Sequence, residues 1–161
     1  MNNSFLRNIK IISGGQTGVD LAALDFAIEN NISCGGWCPK GRINEDGIIP
    51  DKYPLSETKS PEYTERTEMN IKDSDGTLVL YSGNIDSGTK FTLKRAMELQ
   101  KPFFSIDIKN DLDTISIKQW MKTYNIKIIN IAGPRESSSP GIYKLVYEFL
   151  KTNIFLFGLS I

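Results

Sequence analysis

Five short apolar runs, each closed by glycine or polar residues and each followed by helically spaced apolar positions, constrain this chain more than anything else in it. The runs cover residues 9–12, 32–37, 77–81, 102–107 and 126–132. Leu21, Leu24, Ala27 and Ile28 follow the first. Leu93, Ala96 and Met97 follow the third as an inner face, with Lys90, Lys94 and Arg95 outside. Ile117, Trp120, Met121 and Tyr124 follow the fourth, and Ile142, Leu145, Val146, Phe149 and Leu150 the last. After the second run, Ser60 and Pro61 read as N-cap and first-turn residue of a more polar helix over 61–72, broken at 73–76. This alternation predicts an α/β fold: a three-layer, doubly wound, mainly parallel sheet of about five strands flanked by helices. The run 126–132 is nearly all apolar, as in a strand covered on both faces.

A length of 161 residues fits a single domain over 1–161, with no linker, repeat or low-complexity segment. The apolar tail 154–159 falls far short of the ~20 residues that cross a bilayer and reads as a buried terminal strand or a subunit contact. Residues 1–10 hold Arg7 and Lys10 but no apolar run of signal-peptide length. Nineteen basic residues balance nineteen acidic ones, which disfavours a general nucleic-acid binder. Histidine is absent, so imidazole-based triads and histidine-ligated zinc are excluded. Cys34 and Cys38 are too few for a disulfide framework and point to a reducing cytoplasm. They read best as small buried apolar residues rather than metal ligands.

In a sheet of this kind, ligands bind beyond the carboxyl ends of the strands at a topological switch point. Segments 14–18, 83–89 and 133–141 project there, together with an irregular loop over about 38–60. A loop that long is usually functional, and Ile48, Ile49, Tyr53 and Leu55 give it side chains to pack with. Gly14, Gly15, Gln16, Thr17 and Gly18 form a strand-to-helix turn suited to an anion at a helix N-terminus. The turn lacks the Lys-Ser/Thr of a phosphate-binding P-loop. It also lacks the first glycine and the ribose-binding acid of a dinucleotide site, so NAD is disfavoured. Gly83, Gly88 and Thr89 make a second such turn. Lys40 and Arg42, flanking Gly41, and Arg135 are candidate cations for a phosphate. Arg66 and Asn70 share one face of the polar helix, and Trp37 or Tyr53 could stack on a ring. Glu45 and Asp46 are adjacent carboxylates, more readily solvated than catalytic.

Several longer stretches carry a resemblance. They are 14–20 (Gly-Gly-Gln-Thr-Gly-Val-Asp), 34–42 (Cys-Gly-Gly-Trp-Cys-Pro-Lys-Gly-Arg), Glu45-Asp46-Gly47 with Pro50, Tyr53, Pro54 and Leu55, and 132–137 with Pro140, Gly141, Ile142 and Tyr143. Together, across residues 9–150, they resemble the molybdenum carrier family, a molybdenum cofactor carrier-like branch of a Rossmann-like nucleotide-binding superfamily. The resemblance implies a Rossmann-like fold and a small phosphorylated ligand. The named candidate is the molybdenum cofactor, a pterin phosphate that carries its metal on its own dithiolene. With the apolar tail, the resemblance also implies a homodimer or higher oligomer; the charge balance and the short apolar runs lead us to expect neither a nucleic-acid nor a membrane partner. The superfamily includes lysine-decarboxylase-like phosphoribohydrolases, which pair an Arg on a helix with Gly-Gly-x-Gly-Thr-x-x-Glu. Arg66 and residues 87–92 fit that pattern, but Thr92 stands at the Glu position. A threonine cannot act as a carboxylate base, so the expectation is a carrier with no assigned catalytic residue or metal ligand. A nucleoside-monophosphate hydrolase and a nucleotide-sensing module are the alternatives.

Overall fold

The computed structural model describes residues 8–110 and 113–159. The expectation that residues 1–10 lack a signal sequence falls, for 1–7, outside the described residues. The first half comprises β1 (Lys10–Ile12), α1 (Val19–Glu29), β2 (Ser33–Gly35), β3 (Trp37–Cys38), β4 (Ile43–Asn44), β5 (Gly47–Ile48) and β6 (Ser56–Glu57). The second comprises α2 (Tyr63–Asp73), β7 (Gly76–Tyr81), α3 (Ser87–Glu98), β8 (Phe103–Asp107), α4 (Thr114–Thr123), β9 (Ile128–Ala132) and α5 (Ile142–Thr152). A 3-10 turn at Ile154–Phe157 follows α5.

The five expected strands form one wholly parallel sheet in the order β2-β1-β9-β7-β8. The last strand in sequence is therefore the central one, between β1 and β7. Counted from β9, the order is 3-2-1-4-5, that of a doubly wound nucleotide-type sheet whose switch point lies between its first and fourth strands. Here that point is the gap between β9 and β7.

Alternation along the strands sorts the two faces. Ile11, Leu78, Leu80, Ile129 and Ile131 join α1, α4 and α5 in the main core. Ala22, Ala23 and Ala27 keep α1 thin, and it packs closely on α5. Each buried Ile, Leu or Phe here contributes about 1.5–3 kcal/mol. The opposite face is covered by α2 and α3, with Ile71, Val79 and Ala96 buried.

The loop over 38–60 is not structureless. Two short ladders, β3 with β6 and β4 with β5, shape it. Cys38, Ile49 and Tyr53 pack it onto Leu24 of α1 as a second apolar cluster. Of the residues expected to pack, Ile48 instead stays 81% exposed on its hairpin.

Other expectations need correction. The polar helix starts at Tyr63 with Glu62 as N-cap, not at Pro61. Ser60 is held by the loop: its carbonyl accepts from Lys40 N and Thr58 Oγ1, and its hydroxyl accepts from Glu62 N. Met97 is 58% exposed, and Arg95 turns inward to Glu68. Tyr124 falls past the end of α4 and Leu145 lies on the rim of α5, both exposed. Ile154, Leu156 and Phe157 of the tail are buried, but in the 3-10 turn rather than a strand, with the Phe157 ring 5.4 Å from that of Phe26; Phe155 and Leu159 are exposed. No helix among the described residues is long and apolar enough to cross a membrane.

Candidate functional site

A cleft of about 340 Å³ opens at the carboxyl ends of β1, β9 and β7. Its floor is Asn130, Ala132 and Gly133; α2 contributes Tyr63, Arg66 and Asn70; the turn into α3 contributes Asp86 to Thr89. The volume is at the lower end of the ~300–1,000 Å³ usual for small-molecule sites.

The two glycine turns differ in a way that decides their chemistry. In the first, Ser13 is a strut, its hydroxyl donating to Ile131 O at 2.7 Å. Three N–H groups at the middle and end of the turn are then taken up by the protein itself. Gln16 N donates to Asp20 Oδ2 at 3.1 Å, Thr17 N to Gln16 Oε1 at 3.0 Å, and Val19 N to Pro134 O at 3.2 Å. Asp20 occupies the place an incoming anion would take. Burial raises its carboxyl above the usual range, opposed by Arg66 and by the Gln16 N–H. Arg66 Nη1 reaches both Asp20 Oδ2 at 3.0 Å and Gly14 O at 3.3 Å, lying where a side chain at Gly14 would sit. Its Nε is buried without a partner among the described residues. Gly18 has φ +74°, and a Cβ there would meet Pro134 O at 2.5 Å, so only glycine lets α1 start against the 133–141 loop.

The second turn is open. Asp86 caps α3, accepting from Thr89 N at 2.9 Å and from the Thr89 hydroxyl. The Ser87 and Gly88 N–H groups, in the first turn of the helix, meet no acceptor among the described residues, and both residues line the cleft. Thr92 lines the same wall, its hydroxyl donating to Gly88 O at 3.0 Å.

The structure brings together Gly14, Gln16, Arg66, Asn70, Gly88, Thr89 and Arg135 in the cleft lining. The remaining candidates lie elsewhere. Gly15 faces the loop, where a Cβ would meet Leu55 Cδ1 at 2.7 Å. The Thr17 hydroxyl donates to Glu45 and accepts from Glu136 N. Lys40 is exposed outside the lining. Gly83 donates its N–H to Asp107 at the end of β8. Arg42 is a loop organiser: its guanidinium donates to the carbonyls of Ile49, Pro50, Tyr53 and Leu55 at 2.9–3.4 Å. Among the lining residues, Asn70 is already bonded through both amide atoms to the Trp37 backbone.

Trp37 and Tyr53 are not stacking platforms either. Trp37 Nε1 donates to Asp73, and the Tyr53 hydroxyl donates to Asp25 beneath the loop. The aromatics in the lining are Tyr63, whose ring lies 5.3 Å from Arg66 Cζ, and Phe91. Glu45 sits at the rim, where it accepts from Thr17 and Ser137 and pairs with Arg135 at 3.6 Å. Burial pushes its carboxyl up, but those hydrogen bonds outweigh it and hold it below the ordinary value. Cys38 is buried in the loop cluster and Cys34 is half-buried against both cores.

Asn130 and Asp86 were not among the sequence candidates. A lone polar residue among isoleucines was the available signal for Asn130; an Asp three residues before Thr89 was the signal for the cap.

The profile of a family described as "Circularly permutated YpsA SLOG family" matches residues 11–154. Its permutation has a counterpart in the sheet, where β9 holds the first strand's place. A crystal structure of a "Putative molybdenum carrier protein" from Syntrophus aciditrophicus SB is 41% identical, covering 96% of this chain and 97% of that one, with TM-score 0.87. No curated protein matches the chain.

Proposed function

Because the chain belongs to the circularly permutated YpsA SLOG family, we propose that its cleft binds a small phosphorylated heterocycle, a pterin phosphate or a nucleotide. The observation that carries this is the open first turn of α3, where Ser87 and Gly88 line the cleft together with Arg66 and Arg135. An anion there meets both the N–H groups and the positive end of a 12-residue helix. Phe91 and Tyr63 offer ring faces for a heterocycle.

Similarity to the Syntrophus protein supports the molybdenum cofactor as the candidate cargo. The lining suits its phosphate and its ring. Such a cofactor brings its own dithiolene ligands to the metal, so the chain's residues would hold the organic part. We read the protein as a carrier rather than a hydrolase because Thr92 offers no carboxylate where a glycosidic bond would be cleaved. The hydrolase reading keeps one specific support: Asp20 is a carboxylate in the lining, whereas Glu45 and Asp46 are not.

Calorimetric titration with AMP, GMP, inorganic phosphate and adenosine tests the reading. Binding of the phosphorylated compounds and not of adenosine is expected. Equal binding of adenosine and AMP would remove the phosphate site. Release of free base from AMP would replace the carrier with an enzyme. Native mass spectrometry of the purified protein would show a copurified pterin or nucleotide directly.

A further inference from the structure

Asn130 lies within β9, on the cleft floor, and is 3% exposed. Its neighbours Ile129 and Ile131 point into the main core, so Asn130 points to the other face, beside its register partner Thr77. Nδ2 donates to Thr77 Oγ1 at 3.1 Å, which leaves Oδ1 as the amide's other polar atom. No donor among the described residues meets Oδ1. The residue lines the cleft, so its amide is available to a ligand bound there.

The other polar groups of the cleft suit an anion. Arg66 and Arg135 are cations, and the α3 turn offers N–H donors. An amide oxygen repels phosphate, so Asn130 serves a different end of the ligand. We infer that Asn130 is the specificity residue for the neutral part of the ligand, its amide oxygen accepting a hydrogen bond from a hydroxyl or an N–H of the phosphorylated compound. This rests on the phosphate reading above. A site built around a buried acceptor rejects an analogue that lacks the matching donor, because the oxygen is then left dry and unpaired.

The test is calorimetric titration of wild type, Asn130→Leu and Thr77→Val with AMP, its dideoxyribose analogue, its analogue lacking the exocyclic amine, and inorganic phosphate. Asn130→Leu should weaken AMP roughly tenfold or more while inorganic phosphate stays within about twofold. The analogue whose affinity no longer depends on Asn130 identifies the donor, sugar hydroxyl or ring amine. Thr77→Val, which frees the amide to turn without touching Oδ1, should give a smaller loss of the same kind. It carries the test if Asn130→Leu does not fold. Unchanged AMP affinity in both variants, or an equal loss for AMP and inorganic phosphate, overturns the inference and leaves the phosphate reading standing. Failure of AMP and inorganic phosphate to bind wild type overturns both.

Discussion

Arg66 Nη1 lies 3.0 Å from Asp20 Oδ2, and the two side chains are only 12% and 9% exposed. The pair closes the first glycine turn with the protein's own carboxylate. Asp20→Ala would leave a buried guanidinium without a counter-charge and the Gln16 N–H without an acceptor. The expected cost is about 3–5 kcal/mol, and Asp20→Leu with Arg66→Met should recover most of it. Urea denaturation measures both. A cost of Asp20→Ala below about 1 kcal/mol, the level of an exposed pair, would refute the assignment.

Gly88 and Gly15 should separate binding from folding. A Cβ at Gly88 meets nothing closer than Asp86 Oδ1 at 3.9 Å. Gly88→Ala should therefore keep or raise the melting temperature, since alanine gains about 0.5–1 kcal/mol over glycine in a helix. It should still weaken phosphate binding by crowding the open N–H groups. Gly15 has φ +77° and no room beside Leu55 and Ile49, so Gly15→Val should destabilise the protein outright. Thermal melts with phosphate titrations would show whether the two effects part in this way.

Arg42 should behave as a structural residue despite its charge. Arg42→Lys replaces a planar fork that spans four carbonyls with a single ammonium. Loss of even one hydrogen bond to a charged donor costs about 1.5–3 kcal/mol. Limited proteolysis should cut within 42–57 sooner in the variant, with AMP affinity unchanged. A selective loss of AMP affinity would return Arg42 to the binding site.

Glu68 links the helices that wall the cleft. It bonds Arg95 of α3 at 2.9 Å and pairs with Lys72. Its hydrogen bonds to Arg95 and then Lys72 hold its carboxyl down at about 2, from 4.5. A lowered folded value means the unfolded chain takes up the proton first. The stabilisation is thus fully present above 4.5 and is lost as pH falls through about 2. The stability gap between wild type and Glu68→Gln should shrink over that window, and should also shrink with added salt at neutral pH. A gap independent of pH would show that the link is not electrostatic.

The strands and helices were legible because apolar spacing is a local property, and each of the five runs carried it. Their spatial order was not. Nothing within residues 128–132 says that their neighbours are β1 and β7. The site was legible as a set of turns, and Arg66, Gly88 and Arg135 do meet in one cleft. Which turn is open could not be read, because Asp20 occupying the first turn depends on Arg66 arriving from another helix. Arg42 misled for a similar reason: a cation on a loop predicts a ligand only when the loop's own carbonyls do not claim it.

The central place of β9 bears on how the protein is made. Without β9, β1 pairs only with β2 and β7 only with β8, and no strand pairing joins the two pairs. Cleft residues Gly14 and Gly88 belong to opposite pairs. During synthesis, some 127 residues must emerge as two unjoined half-sheets with exposed inner edges before the strand that joins them appears. Completion of the fold and creation of the binding cleft are then a single late event, so a chain stalled before β9 has no binding site to protect it.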